Sequence, residues 1–132
     1  MKGPWFPRVL GVLAAALAAV YSLSCLTTDL PRGEQVVLGS LVTGPWGWVA
    51  TLVHALFFVW LARACFTRLK VAPWAWIGTS VYMIQNIWIY TLGEGSHLFP
   101  RTMQLMITNS LLTAALLSFC RVVLNRRAEF DR

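Results

Sequence analysis

Apolar positions run along this chain in four long blocks, separated by short segments that carry proline, glycine or charge. No charged residue lies between Val9 and Leu26, and none between Val71 and Gly93. An apolar stretch of about 20 residues is what a helix needs to cross the hydrocarbon core of a bilayer. The blocks predict four transmembrane helices, over residues 9–26, 46–66, 74–92 and 102–124. The expected fold is an all-α integral membrane protein, a single four-helix bundle covering residues 1–132. Val36 to Thr43 is also apolar but too short to cross, which predicts an interfacial or re-entrant piece.

The punctuation of the blocks agrees with this division. Pro45 and Pro73 stand just ahead of the second and third spans, and Pro100 shortly before the fourth. Proline suits a first helical turn, where the N–H it lacks would have no intrahelical partner anyway. Trp5, Trp46, Trp48, Trp74 and Trp76 gather near the block ends, at the headgroup level that indole rings favour. Trp60 and Trp88 lie further in.

Composition narrows the class of protein. Of the 132 residues, 58% are hydrophobic and only 12% are charged, against about 25% charged in an ordinary soluble domain. The segments between spans are too short to hold a catalytic soluble domain. The net charge of +6 does not point to nucleic acid, because the basic residues sit at span ends instead of on a folded basic face. With the amino terminus inside, the inner side holds Lys2, Arg8, Arg63, Arg68, Lys70, Arg121, Arg126, Arg127 and Arg132. The outer side holds only Arg32 and Arg101. This bias predicts an N-in/C-in topology, in a bacterial inner membrane or, as the alternative, an organellar one. The basic amino terminus, the apolar block and Ser24-Cys25 have the outline of a signal peptide, but the segment reads as a retained first helix. Cys25, Cys65 and Cys120 each end a different span, without CxxC or metal-ligand spacing.

Pro45-Trp46-Gly47-Trp48-Val49-Ala50-Thr51 aligns with Pro73-Trp74-Ala75-Trp76-Ile77-Gly78-Thr79. An inverted repeat of this kind occurs in transporters. Convergence is the simpler reading, since proline starts helices and tryptophan marks interfaces whatever their ancestry. In the first span Gly11, Ala15, Ala18 and Ser22, continued by Cys25, alternate spacings of four and three and so share one face. Small residues let helix backbones approach closely in lipid, which makes this stripe the expected packing surface.

Polar residues inside the spans are the candidates for chemistry. At 1.5 Å of rise per residue, His54 lies about 12 Å from the outer end of its span, Asn86 about 9 Å and Asn109 about 10 Å. Tyr21 and Ser22 are at a similar depth in the first span. Tyr82 and Asn86 share a face of the third span with Thr79 and Tyr90, and Gln85 stands beside it. A lipid-facing amide would leave donors and acceptors unpaired, so His54, Tyr82, Gln85, Asn86 and Asn109 are expected to point into the bundle. Interhelical bonding is the plain reading of this cluster. A small-molecule or quinone headgroup site, or a polar pathway, is the functional one.

No catalytic residue, metal site or cofactor is expected. The spans hold no carboxylate of the kind proton-coupled transporters use. The chain lacks HExxH, GxSxG, a Walker loop and a paired-carboxylate site. His54 and His97 give no reason to place a haem between them. The expected partners are the lipid bilayer and other membrane subunits, or further copies of the same chain. The expected function is that of a non-catalytic accessory or assembly subunit of a larger membrane complex. A small dimeric transporter or channel and a quinone- or lipid-binding membrane enzyme subunit are the alternatives.

Overall fold

The computed structural model describes residues 4–27, 34–93 and 102–131. Four long helices carry most of them: α1 Trp5–Thr27, α2 Gly44–Phe66, α3 Ala72–Leu92 and α4 Thr102–Asn125. A single 3-10 turn, Arg127–Glu129, follows α4. Two short strands, β1 Glu34–Val37 and β2 Ser40–Thr43, precede α2. Each helix matches one of the four expected blocks to within a few residues at its ends.

α1, α2 and α4 are long and apolar enough to cross a membrane. α3 carries no charge, and Thr79, Ser80, Tyr82, Gln85, Asn86, Tyr90 and Thr91 lie along its length. Large apolar side chains cover the outside of the bundle: Val12, Leu111 and Leu117 are each more than half exposed. In water such a surface would aggregate; in hydrocarbon it is a solvated one.

The helices associate as two pairs, α1 along α2 and α3 along α4. Between α1 and α2 the contact face is made of small residues on both sides. α1 buries Gly11, Ala14 and Ala18 there, and α2 buries Gly47, Thr51 and Ala55. The expected stripe is therefore realised in part. Gly11 and Ala18 lie in the packed face, whereas Ala15 and Ser22 are exposed. The buried face is turned by about one residue, toward Leu10 and Ala14. Residue size could not decide this, because Ala14 and Ala15 are equally small.

The two pairs are joined at the end holding the α2–α3 loop. Leu10, Leu61, Cys65, Ala72, Trp76 and Val123 form a core there that draws on all four helices. The loop itself is a Schellman turn. The Leu69 N–H donates to the Ala64 carbonyl at 2.9 Å, and the Arg68 N–H to the Cys65 carbonyl at 3.0 Å. Arg68 occupies the left-handed position, φ 57°, where glycine is usual. Its guanidinium reaches Asp131 at 2.8 Å, which ties the loop to the chain beyond α4.

The segment expected to be interfacial or re-entrant is a β-hairpin. Val37 pairs with Ser40 and Glu34 with Thr43, antiparallel. The two-residue turn is Leu38 at φ 50° and Gly39 at φ 83°. Positive φ at both central residues is the I′ class, whose twist matches that of paired strands. A hairpin closes backbone hydrogen bonds locally, so a largely apolar segment can approach the membrane without a helix. This is the one departure from the all-α expectation among the described residues.

Candidate functional site

The hairpin bridges the ends of α2 and α3 away from the shared core. Asn86 holds it. The side-chain carbonyl of Asn86 accepts from the Gly39 N–H at 2.6 Å, and its amide donates to the Val36 carbonyl at 2.8 Å. One amide thus satisfies two backbone groups that the hairpin leaves unpaired. Gly39 is buried, and a Cβ at that position would collide with Ile89. From the other side, Gln35 lies beside Tyr21 of α1. The hairpin is thus fastened to α3 through Asn86.

Below the hairpin lies a ring cluster. Tyr21 stacks on His54 at 5.3 Å between centroids and on Phe58 at 5.6 Å. Tyr82 approaches His54 from α3, 6.0 Å away. The His54 Nδ1 lies 2.6 Å from the Ala50 carbonyl, and because a carbonyl only accepts, Nδ1 is the donor. His54 and Tyr82 therefore meet across the α2–α3 gap. Asn86 stands one turn further along and serves the hairpin instead.

Asn109 is part of a different contact. It is buried, and its amide donates to the Thr91 hydroxyl at 2.8 Å across the α3–α4 interface. Trp88 repeats the pattern, donating to Thr113 at 2.8 Å. Gln85 is exposed and away from both groups. Four of the five residues of the expected cluster thus divide between a hairpin clamp, a ring cluster and a helix–helix bond, and Gln85 joins none of them. His97 and Glu94 lie outside the described residues. Among the described residues no three His, Cys, Asp or Glu side chains gather as a metal site.

If the α3–α4 bond is interhelical glue, its loss costs little. Such bonds average about 0.6 kcal/mol in membrane proteins. Thr91 can turn its hydroxyl to a carbonyl of its own helix once Asn109 is gone. Asn109→Leu is expected to lower unfolding stability in detergent by about 1 kcal/mol or less, measured by denaturant titration of helicity. A loss several times larger would mean that Asn109 has a further role.

α2 and α3 diverge between the ring cluster and the core, and the gap is a cleft of about 420 Å³. Val53, His54, Phe57 and Phe58 form its α2 wall. Ala75, Gly78, Thr79 and Tyr82 form its α3 wall. The lining is almost wholly apolar, because Thr79 turns its hydroxyl to the Ala75 carbonyl at 2.8 Å. Thr51, its counterpart in the aligned repeat, makes the same bond to Gly47 at 2.9 Å. A second hollow of about 280 Å³ lies at the far end of α2, lined by Trp60, Arg63, Ala64, Thr67 and Leu69. The sequence reading found neither hollow. Gly78, a residue without a side chain midway along an otherwise bulky helix, was the available signal.

The fold and these contacts define a helical bundle in which three helices are long and apolar enough to cross a membrane and polar side chains bond within the protein. No protein family, curated protein or solved structure matches the chain.

Proposed function

We propose that this chain is a four-span, N-in/C-in membrane protein of a bacterial inner membrane that acts as a non-catalytic accessory or assembly subunit of a larger membrane complex. The carrying observation is where the embedded polar side chains direct their bonds. Asn86 engages the hairpin, Asn109 engages Thr91, Trp88 engages Thr113, and the His54 Nδ1 engages its own helix. A conducting path or a reaction centre needs such groups turned toward a substrate; here their bonds go to the protein itself, to the hairpin, to a neighbouring helix or to their own helix. α3 is counted as the fourth span because it carries no charge and because the hairpin and α4 take up the polar groups of Asn86, Trp88 and Thr91. The exposed face of α1, with Ala15, Ala19 and Ser22, is small enough for a helix of another subunit to approach.

Purification in mild detergent tests the assembly. The wild-type chain is expected to retain other membrane proteins, and Ala15→Leu to lose most of them while still inserting. A wild-type monomer in native mass spectrometry, with no partner crosslinked in intact membranes, would end this reading.

Topology has its own test. Cys65 and Cys120 are buried, so native thiols are poor reporters. Lys70 is exposed in the α2–α3 loop. In a cysteine-free background, Lys70→Cys is expected to react with an impermeant thiol reagent only after the membrane is opened. Reaction in intact cells would refute the N-in/C-in orientation.

A further inference from the structure

We propose that the α2–α3 cleft and the hollow at Arg63 form one site for a single anionic phospholipid, drawn from the leaflet at the Arg63 end of the bundle. The inference does not rest on the subunit role.

The two hollows follow one another along α2. Val53, Phe57, Trp60, Ala64 and Thr67 follow one another at spacings of four, three, four and three, which is one helix face. The Phe57 and Trp60 rings, 5.8 Å apart, join the wall of the cleft to the wall of the hollow. The site is therefore long, apolar in the middle of the membrane and charged at one end.

Size and charge identify the occupant. A methylene takes up about the volume of a liquid water molecule, roughly 30 Å³. The cleft's 420 Å³ therefore accommodates an acyl chain of on the order of 14 methylenes. The end of the cleft away from Arg63 holds the His54–Tyr82 contact, 6.0 Å between centroids, where a methyl terminus fits and a charged headgroup does not. Arg63 lines the hollow at the other end. The two ion pairs among the described residues use Arg68 and Arg126; Arg63 takes part in neither. The same end of the bundle holds Arg8, Lys70, Arg121 and Arg127, against Glu129 and Asp131. The C-terminal dipole of α2 opposes an anion there, while the N-terminus of α3, one loop on, favours it. The net field is that of a basic surface, which attracts anionic lipid.

Gly78 makes the site testable without damaging the fold. It lines the cleft, and a Cβ added to it meets no atom within 4 Å. A leucine side chain there occupies the acyl channel and nothing else.

The experiment reconstitutes the full chain in bilayers of equimolar phosphatidylglycerol and phosphatidylcholine. It then counts lipids retained after gentle delipidation, by native mass spectrometry. The wild type is expected to keep one phosphatidylglycerol in preference to phosphatidylcholine. Arg63→Gln should reduce that preference about fivefold, the effect of one basic side chain at an anionic surface. Gly78→Leu should lose the retained lipid of either kind while keeping helicity and melting temperature. Exposed Leu111 faces away from the cleft, and Leu111→Phe should retain lipid as the wild type does. Equal retention by the wild type and Gly78→Leu would overturn the site. So would a phosphatidylglycerol preference that Arg63→Gln leaves unchanged. A photoreactive side chain in place of Gly78 should label lipid in native membranes; labelling of a polypeptide instead would assign the cleft to a partner helix and overturn the lipid.

Discussion

Gly39→Val is expected to undock the β-hairpin and lower unfolding stability in detergent by about 3 kcal/mol. Two costs add. Gly39 has φ 83°, a conformation a β-branched residue adopts only at about 1–3 kcal/mol. Its Cβ would also meet Ile89, and forcing a side chain into a packed contact costs about 1–3 kcal/mol. Asn86→Leu attacks the same docking from α3. It leaves the Gly39 N–H and the Val36 carbonyl without partners and is expected to cost about 2 kcal/mol, more than Asn109→Leu. The two changes should not add. Once valine has lifted the hairpin, Asn86 has nothing to hold, so the double variant should resemble Gly39→Val alone. Hydrogen exchange gives the local readout: amides of Val36 to Thr43 should lose protection in either variant. Additive losses with unchanged protection would mean that the hairpin is not docked through Asn86.

The second large effect distinguishes neighbouring alanines. Ala14 is fully buried in the α1–α2 face, whereas Ala15 is exposed. Ala14→Leu must separate two helices whose backbones approach over small residues, and is expected to cost about 3 kcal/mol. Ala15→Leu should change the stability of the isolated chain by about 0.5 kcal/mol or less. Gly11 supplies an independent check, since a Cβ there would sit 2.9 Å from the Phe66 ring. Unfolding measurements on the purified chain settle the register. If Ala15→Leu were the damaging change and Ala14→Leu the tolerated one, α1 would be turned the other way.

The reassignment of the embedded polar residues shows where depth is a good guide and where it fails. His54 and Tyr82 meet because both face the gap between α2 and α3. Depth alone groups Asn86 with them, although the partner of Asn86 is a backbone turn from a distant part of the chain. The hairpin left only a faint trace in the sequence. Gly39 stands between Val36-Val37 and Leu41-Val42, but Leu38 occupies a position where asparagine or aspartate would have signalled a I′ turn. Gln85 was included for its polarity and lies on the exposed side of α3. One residue is 100° around a helix, enough to separate Gln85 from Asn86.

The sequence by itself determined the four helical blocks, their proline starts, the membrane-compatible apolar surface and the concentration of basic residues at one end. Each follows from local quantities: run length, side-chain polarity and the missing N–H of proline. The tertiary structure alone decided that the helices pair as α1–α2 and α3–α4, which alanines of α1 pack, and that Asn86 clamps a hairpin. It alone opened a cleft beside Gly78. The physical reason is that lipid solvates any apolar helix face, so hydrophobicity does not select which faces meet. That selection falls to close fit between small residues and to a few hydrogen bonds whose partners are far apart in the chain. Asn86 and Val36 are 50 residues apart, and no periodicity within either segment encodes the other.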